Sequence, residues 1–391
     1  MTPIDFEPFD ADNHYYEALD AFTRHLDPKL GSRVIEWAQI NGRSYHVIGG
    51  RVNRAVVNPT FDPVAKPGAL FEHFRGLTSQ PAAELLRDRD SIRPEYRDRD
   101  ARLAVMDEQG IGQAWLFPTL GVMYEEPLRH DPEAVMHLVR AFNRWILDDW
   151  GFHYRGRLYA APYISLADPQ AAVAELEWAV DNGARIICMR PAAPTTRDGR
   201  FPPGDRYFDA FWARVDEIGI TTVLHAGDSG TASNGYFDER ADARDVYAPR
   251  PSVRMFAMER AITDFVASLI FDKLFTRFPG VRIASIENGS NYVPDLLRVL
   301  RFSGKKFHDH YGEDPVQTFL RHVWVNPFGE DDVGRLVELV GADRVLFGSD
   351  WPHIEGLRQP LDYLPEVEQF SPSDRRLIMR DNAAGLTELA A

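Results

Sequence analysis

A single cysteine, Cys188, stands in a chain of 391 residues. One thiol excludes an internal disulfide framework and any multi-cysteine zinc or iron–sulfur centre, so a bound metal has to draw its ligands from His, Asp and Glu. Positive charge is also short: 44 Lys and Arg stand against 59 Asp and Glu, a formal net charge of −15. Such an excess repels nucleic acid and anionic membrane at long range, and neither is an expected partner. Small anionic substrates are not excluded, because they respond to the local field of a pocket. No run approaches the ~18 uninterrupted apolar residues of a membrane span. The opening MTPIDFEPFDADNH carries acids where a secretory leader has a basic segment, and it lacks the apolar stretch that follows. The expected compartment is the cytoplasm. What remains is ordinary globular composition, 44% apolar and 26% charged, with length for one large α/β domain or two medium ones.

Short apolar or β-branched runs alternate with longer stretches of helical spacing. Eight runs stand at 8–14, 114–119, 158–166, 185–192, 221–227, 282–288, 322–328 and 344–353. Between them, DPEAVMHLVRAFNRWILDDW and DPQAAVAELEWAVDNGA open on Asp-Pro, an N-cap followed by proline at the first helical position, and a further helical stretch opens at Ser252. Eight strands separated by helices is the count of a (β/α)8 TIM barrel. The rival, a doubly wound sheet, is disfavoured as a dinucleotide fold because no G-x-G-x-x-G follows the first run. The barrel is expected to be distorted, because residues 20–110 separate the first two runs and far exceed an ordinary βα connection. That insertion has hairpin character at Gly49-Gly50. It also holds the run RDRDSIRPEYRDRDAR, whose near-cancelling charges suggest a solvated helix or loop. We expect a single domain over 1–391, with 20–110 as a cap or a subunit contact.

Polar residues gather at the ends of the runs: Asp10, Asp12 and His14 on the first, His225 on the fifth, Glu287 on the sixth, Asp350 and His353 on the eighth. A barrel brings such strand ends to one face. Asp12 and His14, two apart, share a side of an extended strand. Two His and two or three carboxylates suit a divalent ion such as Zn²⁺ or Mn²⁺. Each residue alone has a plainer reading. His225 serves as a core histidine bonded to a carbonyl, Asp350 as a turn cap, Asp10 and Asp12 as surface acids, and Glu287 as a partner of Arg190. Their coincidence at the ends of separate strands favours the joint reading.

At these residues the chain resembles the amidohydrolase superfamily, in its amidohydrolase-2 branch of metal-dependent hydrolases and non-oxidative decarboxylases. DADNHYYE, VLHAG, FPGVRIASIENGSNYVPDLL and LFGSDWPHIEG carry the resemblance, which extends to the final RDNAAGL. It implies one divalent metal held by Asp12, His14, His225 and Asp350, with zinc foremost and manganese or iron as alternatives, and a homodimer. Two departures stand out. The family's decarboxylases usually carry His where this chain has Glu287, and the first-strand pair is Asp-x-His instead of the double His of many hydrolases.

The leading expectation is hydrolysis of a small cyclic or aromatic carbonyl compound. Water would be activated at the metal, Asp350 would take its proton, His225 would help steady the oxyanion, and Asp350 or Glu287 would return the proton. Arg190, Trp351 and His353 are expected towards the substrate. Arg190 has the alternative of a salt bridge to Glu287 or another acid, and His353 of bracing its loop. Tyr15, Tyr16, Trp351 and Tyr292 either wall an apolar pocket or simply pack. The alternative activity is non-oxidative decarboxylation of an aromatic or muconate-like acid, against which Glu287 counts. A third reading, from another class, is a non-catalytic ligand-binding barrel.

Overall fold

Burial on both faces makes near-continuous apolar strands, and it is in that form that the runs fold. The computed structural model describes residues 4–56, 58–230 and 253–390. Seven of the eight runs form parallel strands: β1 (Phe9–Tyr15), β2 (Gln113–Pro118), β3 (Leu158–Ala160), β4 (Ile186–Met189), β5 (Thr221–His225), β6 (Arg282–Ile286) and β7 (Val323–Val325). Every residue of β1, β4 and β5 is buried. One sheet has the order β1-β2-β3 and another the order β7-β6-β5-β4. A parallel bridge between Tyr163 and Cys188 links the segment after β3 to β4.

The eighth run, expected as a strand over 344–353, is not a regular one. It joins β7 through a Val325–Val345 bridge and β1 through an Asn13–Trp351 bridge. The cause lies in side chains that intrude on the ladder. Asp10 accepts from the Ser349 backbone N–H (2.9 Å) and hydroxyl (2.5 Å), and the pairing of β1 with β2 shifts register between Asp10 and Asn13. Both Ser349 and Asp350 then donate their N–H to the Asp12 carbonyl. Gly348 allows this approach, since a Cβ there would meet that of Asp12 at 2.4 Å.

Helices α1 (Arg99–Gln109), α2 (Pro132–Asp149), α3 (Pro169–Asp181), α4 (Asp209–Ile218), α5 (Ala257–Phe271), α6 (Tyr292–Lys306), α7 (Pro315–His322) and α8 (Val333–Val340) lie between or beside the strands in sequence. The Asp-Pro openings work as caps: Asp131, Asp168 and Asp314 each accept from a first-turn N–H, an interaction worth about 1 kcal/mol. Ser252, where a helical stretch was expected to open, lies outside the described residues. Trp115, Trp145, Trp150 and Trp212 are fully buried between strands and helices. No helix of the described residues is long and apolar enough to cross a membrane.

Within 20–110, Ile35–Ile40, Arg43–Ile48 and Arg51–Val52 form an antiparallel sheet that turns at Asn41-Gly42 and Gly49-Gly50. Gly68 and Leu70 donate backbone hydrogen bonds to His353 and Ile354, tying the segment to the end of the eighth run. The charge run at 87–102 is not all solvated. Arg102 is fully buried, donating to the carbonyls of Glu95 (2.8 Å) and His14 (2.7 Å) and to Asn13 Oδ1 (2.5 Å), with its guanidinium over the Trp351 ring. Periodicity of charge cannot reveal this, because two of the partners, Asn13 and His14, lie on a distant strand.

Candidate metal centre

Four strand ends converge on one point. Asp12 and His14 project from the same side of β1, His225 ends β5, Glu287 follows β6, and Asp350 ends the irregular eighth run. His14 Nε2 lies 3.3 Å from Asp12 Oδ1, 3.3 Å from Asp350 Oδ1 and 3.5 Å from Glu287 Oε2. His225 Nε2 lies 3.2 Å from Glu287 Oε2 and 3.6 Å from Asp12 Oδ1. Two of these residues occupy the left-handed region without being glycine: Glu287 has φ 56° and Asp350 φ 55°. Such backbone is costly and survives where the surroundings enforce it. Around Glu287 the enforcement is visible. Asn288 donates to the carbonyls of both Leu224 and Ile286, and a Cβ on Gly289 would strike the Phe328 ring.

The side chains are aimed by groups behind them. His225 Nδ1 donates to the Ala226 carbonyl (2.8 Å), which leaves Nε2 bare towards the cluster. Asp10, one turn of the pleat behind Asp12, holds the Asp12 and Ser349 N–H groups and the Asn13 amide. Burial outweighs these hydrogen bonds and raises its pKa to about 6.

Electrostatically the cluster sets carboxylates against imidazoles. Burial opposes charge on His14, but the adjoining Asp12 and Glu287 outweigh it and lift its pKa to about 9. Asp12 is pulled the other way, its burial outweighed by His14 and His225, so its carboxyl titrates below the usual range. Asp350 is held well above that range by burial and then by Glu287. Asp12 Oδ1, His14 Nε2, His225 Nε2 and Asp350 Oδ1 are buried without an aligned hydrogen-bond partner among the described residues. Four buried polar atoms left in this state at one point call for an explanation, and a bound ion supplies one. The donor set of imidazole and carboxylate, spaced within 4.8 Å for Asp12, His14, His225 and Glu287, fits a divalent cation.

Of the residues expected at the site, the structure brings together Asp12, His14, His225, Glu287, Asp350 and His353, the last with Nδ1 at 2.7 Å from Asp350 Oδ1. Trp351 is not turned to them. It packs beneath Arg102 and beside Tyr96, and its carbonyl accepts the His14 N–H. Arg190 lies in a different cluster, its Nη1 2.7 Å from Glu126 Oε2 and its Nε 3.2 Å from Glu125 Oε2. Of its expected alternatives it takes the salt bridge to another acid, with Glu125 and Glu126 as partners instead of Glu287.

The family profile described as Amidohydrolase matches residues 11–386. The chain belongs to the amidohydrolase family. A crystal structure of an amidohydrolase from Mycobacterium avium subsp. paratuberculosis is 41% identical, covers 99% of this chain and 100% of its own, and superposes with a TM-score of 0.91. The gamma-resorcylate decarboxylase of Rhodococcus jostii is 27% identical over 74% of this amidohydrolase and 88% of its own length. A dihydroxybenzoic acid decarboxylase from Polaromonas sp., solved with manganese and the inhibitor 2-nitroresorcinol, is 17% identical with a TM-score of 0.56, covering 82% of this chain and 93% of its own. At that identity it speaks for the fold alone. Membership and these neighbours imply a TIM barrel for the parallel strands.

Several supporting residues of this amidohydrolase were not foreseen. Arg102 fixes the β1 carbonyl at His14, Glu17 accepts from the N–H groups of Leu120 and Gly121 after β2, and Thr119 bonds both Tyr15 and His353. Glu17 stood in the quoted DADNHYYE; its apolar surroundings, which raise its pKa to about 7, were not visible there.

Proposed function

We propose that this amidohydrolase is a metal-dependent, non-oxidative decarboxylase of a hydroxylated aromatic acid. The observation that carries the reading is the convergence of Asp12, His14, His225 and Asp350 with their inward atoms buried and unpartnered. The choice of reaction is supported by the curated relatives, named gamma-resorcylate decarboxylases, at 23–27% identity. It displaces hydrolysis, the first expectation from sequence, which holds only as the broad character of the superfamily. The ring of parallel neighbours, closed through the eighth run, supports a distorted (β/α)8 barrel, and the bonds from Gly68 and Leu70 to residues 353 and 354 support 20–110 as its cap.

Asp12, His14, His225 and Asp350 would hold one divalent ion, zinc, manganese or iron, whose charge anchors an anionic substrate and accepts electron density from it. The chain's own part is proton delivery. Asp350 would deliver a hydrogen to the ring carbon that bears the carboxylate. That C–H bond forms, the bond to the carboxyl carbon breaks with its electron pair returning to the ring, and carbon dioxide leaves. Glu287, which like Asp350 is partly open to solvent, would pass on the proton that water restores.

Carbon dioxide release is measured from 2,6-dihydroxybenzoate and related hydroxybenzoates with metal-supplemented protein, beside a panel of lactones and amides. Release at a rate that follows metal content is the expected result. Hydrolysis of the panel with no release of carbon dioxide would sink the proposal in favour of the second reading, metal-assisted hydrolysis. One observation favours that second reading: Glu287 adds a third carboxylate to Asp12 and Asp350, leaving a divalent site that repels an anion.

A further inference from the structure

Thr119 directly follows β2, beside the end of β1. Its hydroxyl donates to the Tyr15 carbonyl (2.8 Å) and stands 2.9 Å from His353 Nε2. A threonine hydroxyl has one proton and a carbonyl has none to give. With that proton committed to Tyr15, the hydroxyl meets His353 only as an acceptor, so Nε2 carries the ring hydrogen. Nδ1 is left with its lone pair.

That lone pair faces the cluster. Nδ1 is 2.7 Å from Asp350 Oδ1, and the imidazole is stacked on that of His14 with 3.8 Å between ring centroids. Nδ1 and Oδ1 are both buried without an aligned hydrogen-bond partner among the described residues. Two lone pairs at this separation repel unless a positive charge lies against both. The residue is held on several sides: its main chain donates to the Asp350 carbonyl and accepts from Gly68, and its ring lies between those of His14 at 3.8 Å and Tyr16 at 5.9 Å from centroid to centroid. His14, Glu287, Asp350 and His353 each offer a ligand atom within 4.8 Å of the others.

Resting on the metal reading above, we propose that His353 is itself a ligand of the divalent ion through Nδ1, and that Thr119 fixes it in that role by accepting the Nε2 hydrogen. His353 then has a task different from the substrate contact expected of it. An added imidazole also makes electrostatic sense: the site already holds the carboxylates of Asp12, Glu287 and Asp350, and a neutral donor raises the coordination number without adding negative charge. Thr119 acts as a positioning residue, the partner that sets a ligand's tautomer and orientation.

The test loads metal-stripped protein with Zn²⁺ and reads two quantities, the dissociation constant by chelator competition and the number of imidazoles on the ion by X-ray absorption. Wild type, His353→Phe, Thr119→Val, Thr119→Ser and His225→Ala are compared, with melting of the metal-stripped proteins as a check on folding. Wild type should show three imidazoles and His353→Phe two. Thr119→Val should bind on the order of 10–100-fold more weakly, and Thr119→Ser, which keeps the hydroxyl, should recover the wild-type constant within a few-fold. An unchanged imidazole count and affinity in His353→Phe, with binding still lost in His225→Ala, overturns the proposal and leaves the metal site standing. A wild type that takes up no zinc overturns both together.

Discussion

Two buried charge clusters occupy the strand ends, and they are built on opposite principles. Around Arg190, each carboxylate faces a cation or a donor: Glu125 accepts from Tyr163 and Ser165 and pairs in charge with the arginine, while Glu126 lies between Arg190 and Arg129. Around His14, three carboxylates and the inward histidine nitrogens crowd one another, and among the described residues their charged contacts are to each other and not to an arginine or lysine. Position in the fold does not separate the two, since Arg190 follows β4 as directly as His225 ends β5. Charge pairing does. A cluster whose acids face arginines supports the fold, whereas one whose acids face each other and imidazoles is held in shape by the fold until a ligand completes it.

The sharpest way to break this contrast is Asp350→Asn. Activity should fall by on the order of 10³-fold or more, while the metal-stripped variant melts at or above the wild-type temperature, because a crowded acid has been removed. A variant that keeps its activity, or that loses stability, would place Asp350 in the structural class. Arg190→Met tests the other side. It strands Glu125 and Glu126 in the interior and should cost about 3–5 kcal/mol of stability, read by urea unfolding, with zinc affinity unchanged. A stable Arg190→Met protein would show that its acids need no partner and would erase the distinction.

A smaller effect comes from His46, a buried histidine that is neither in a charge cluster nor paired with an acid. Its Nδ1 meets the Tyr124 hydroxyl at 2.7 Å, and burial lowers its pKa from 6.5 to about 3. Below pH 6.5 the unfolded chain binds a proton that the folded one refuses, so its contribution is complete above 6.5 and is lost progressively towards pH 3. Between pH 6.5 and 5.5 the loss attributable to His46 should be roughly 1 kcal/mol. His46→Leu should flatten the stability profile in that interval, and an unaltered slope would show that the ring is protonated in place.

How much of this was legible beforehand follows from where the information lies along the chain. Asp12, His14, His225, Glu287 and Asp350 stand out because each ends an apolar run, and a parallel fold brings run ends together. The eighth strand was misjudged because its irregularity comes from the Asp10 carboxylate reaching Ser349, a contact across 339 residues. Thr119 and Arg102 were invisible for the same reason: a hydroxyl after an apolar run and an arginine in a mixed-charge run carry no local mark of partners 234 and 89 residues away. Asn41-Gly42 is a different case. It is a standard hairpin signal and was available to inspection, though only the Gly49-Gly50 turn had been singled out.

The seam between β1 and the eighth run has a bearing on synthesis. The Asp12 carbonyl and the carboxylate of Asp10 find their partners in Ser349, which is made 337 residues after Asp12. Until that late segment emerges, the early strand has a vacant edge, and the histidines lack the acid that completes their set. A nascent chain that has not yet reached the eighth run is therefore unable to assemble the centre, which ties metal capture and any chemistry that follows it to synthesis of that segment.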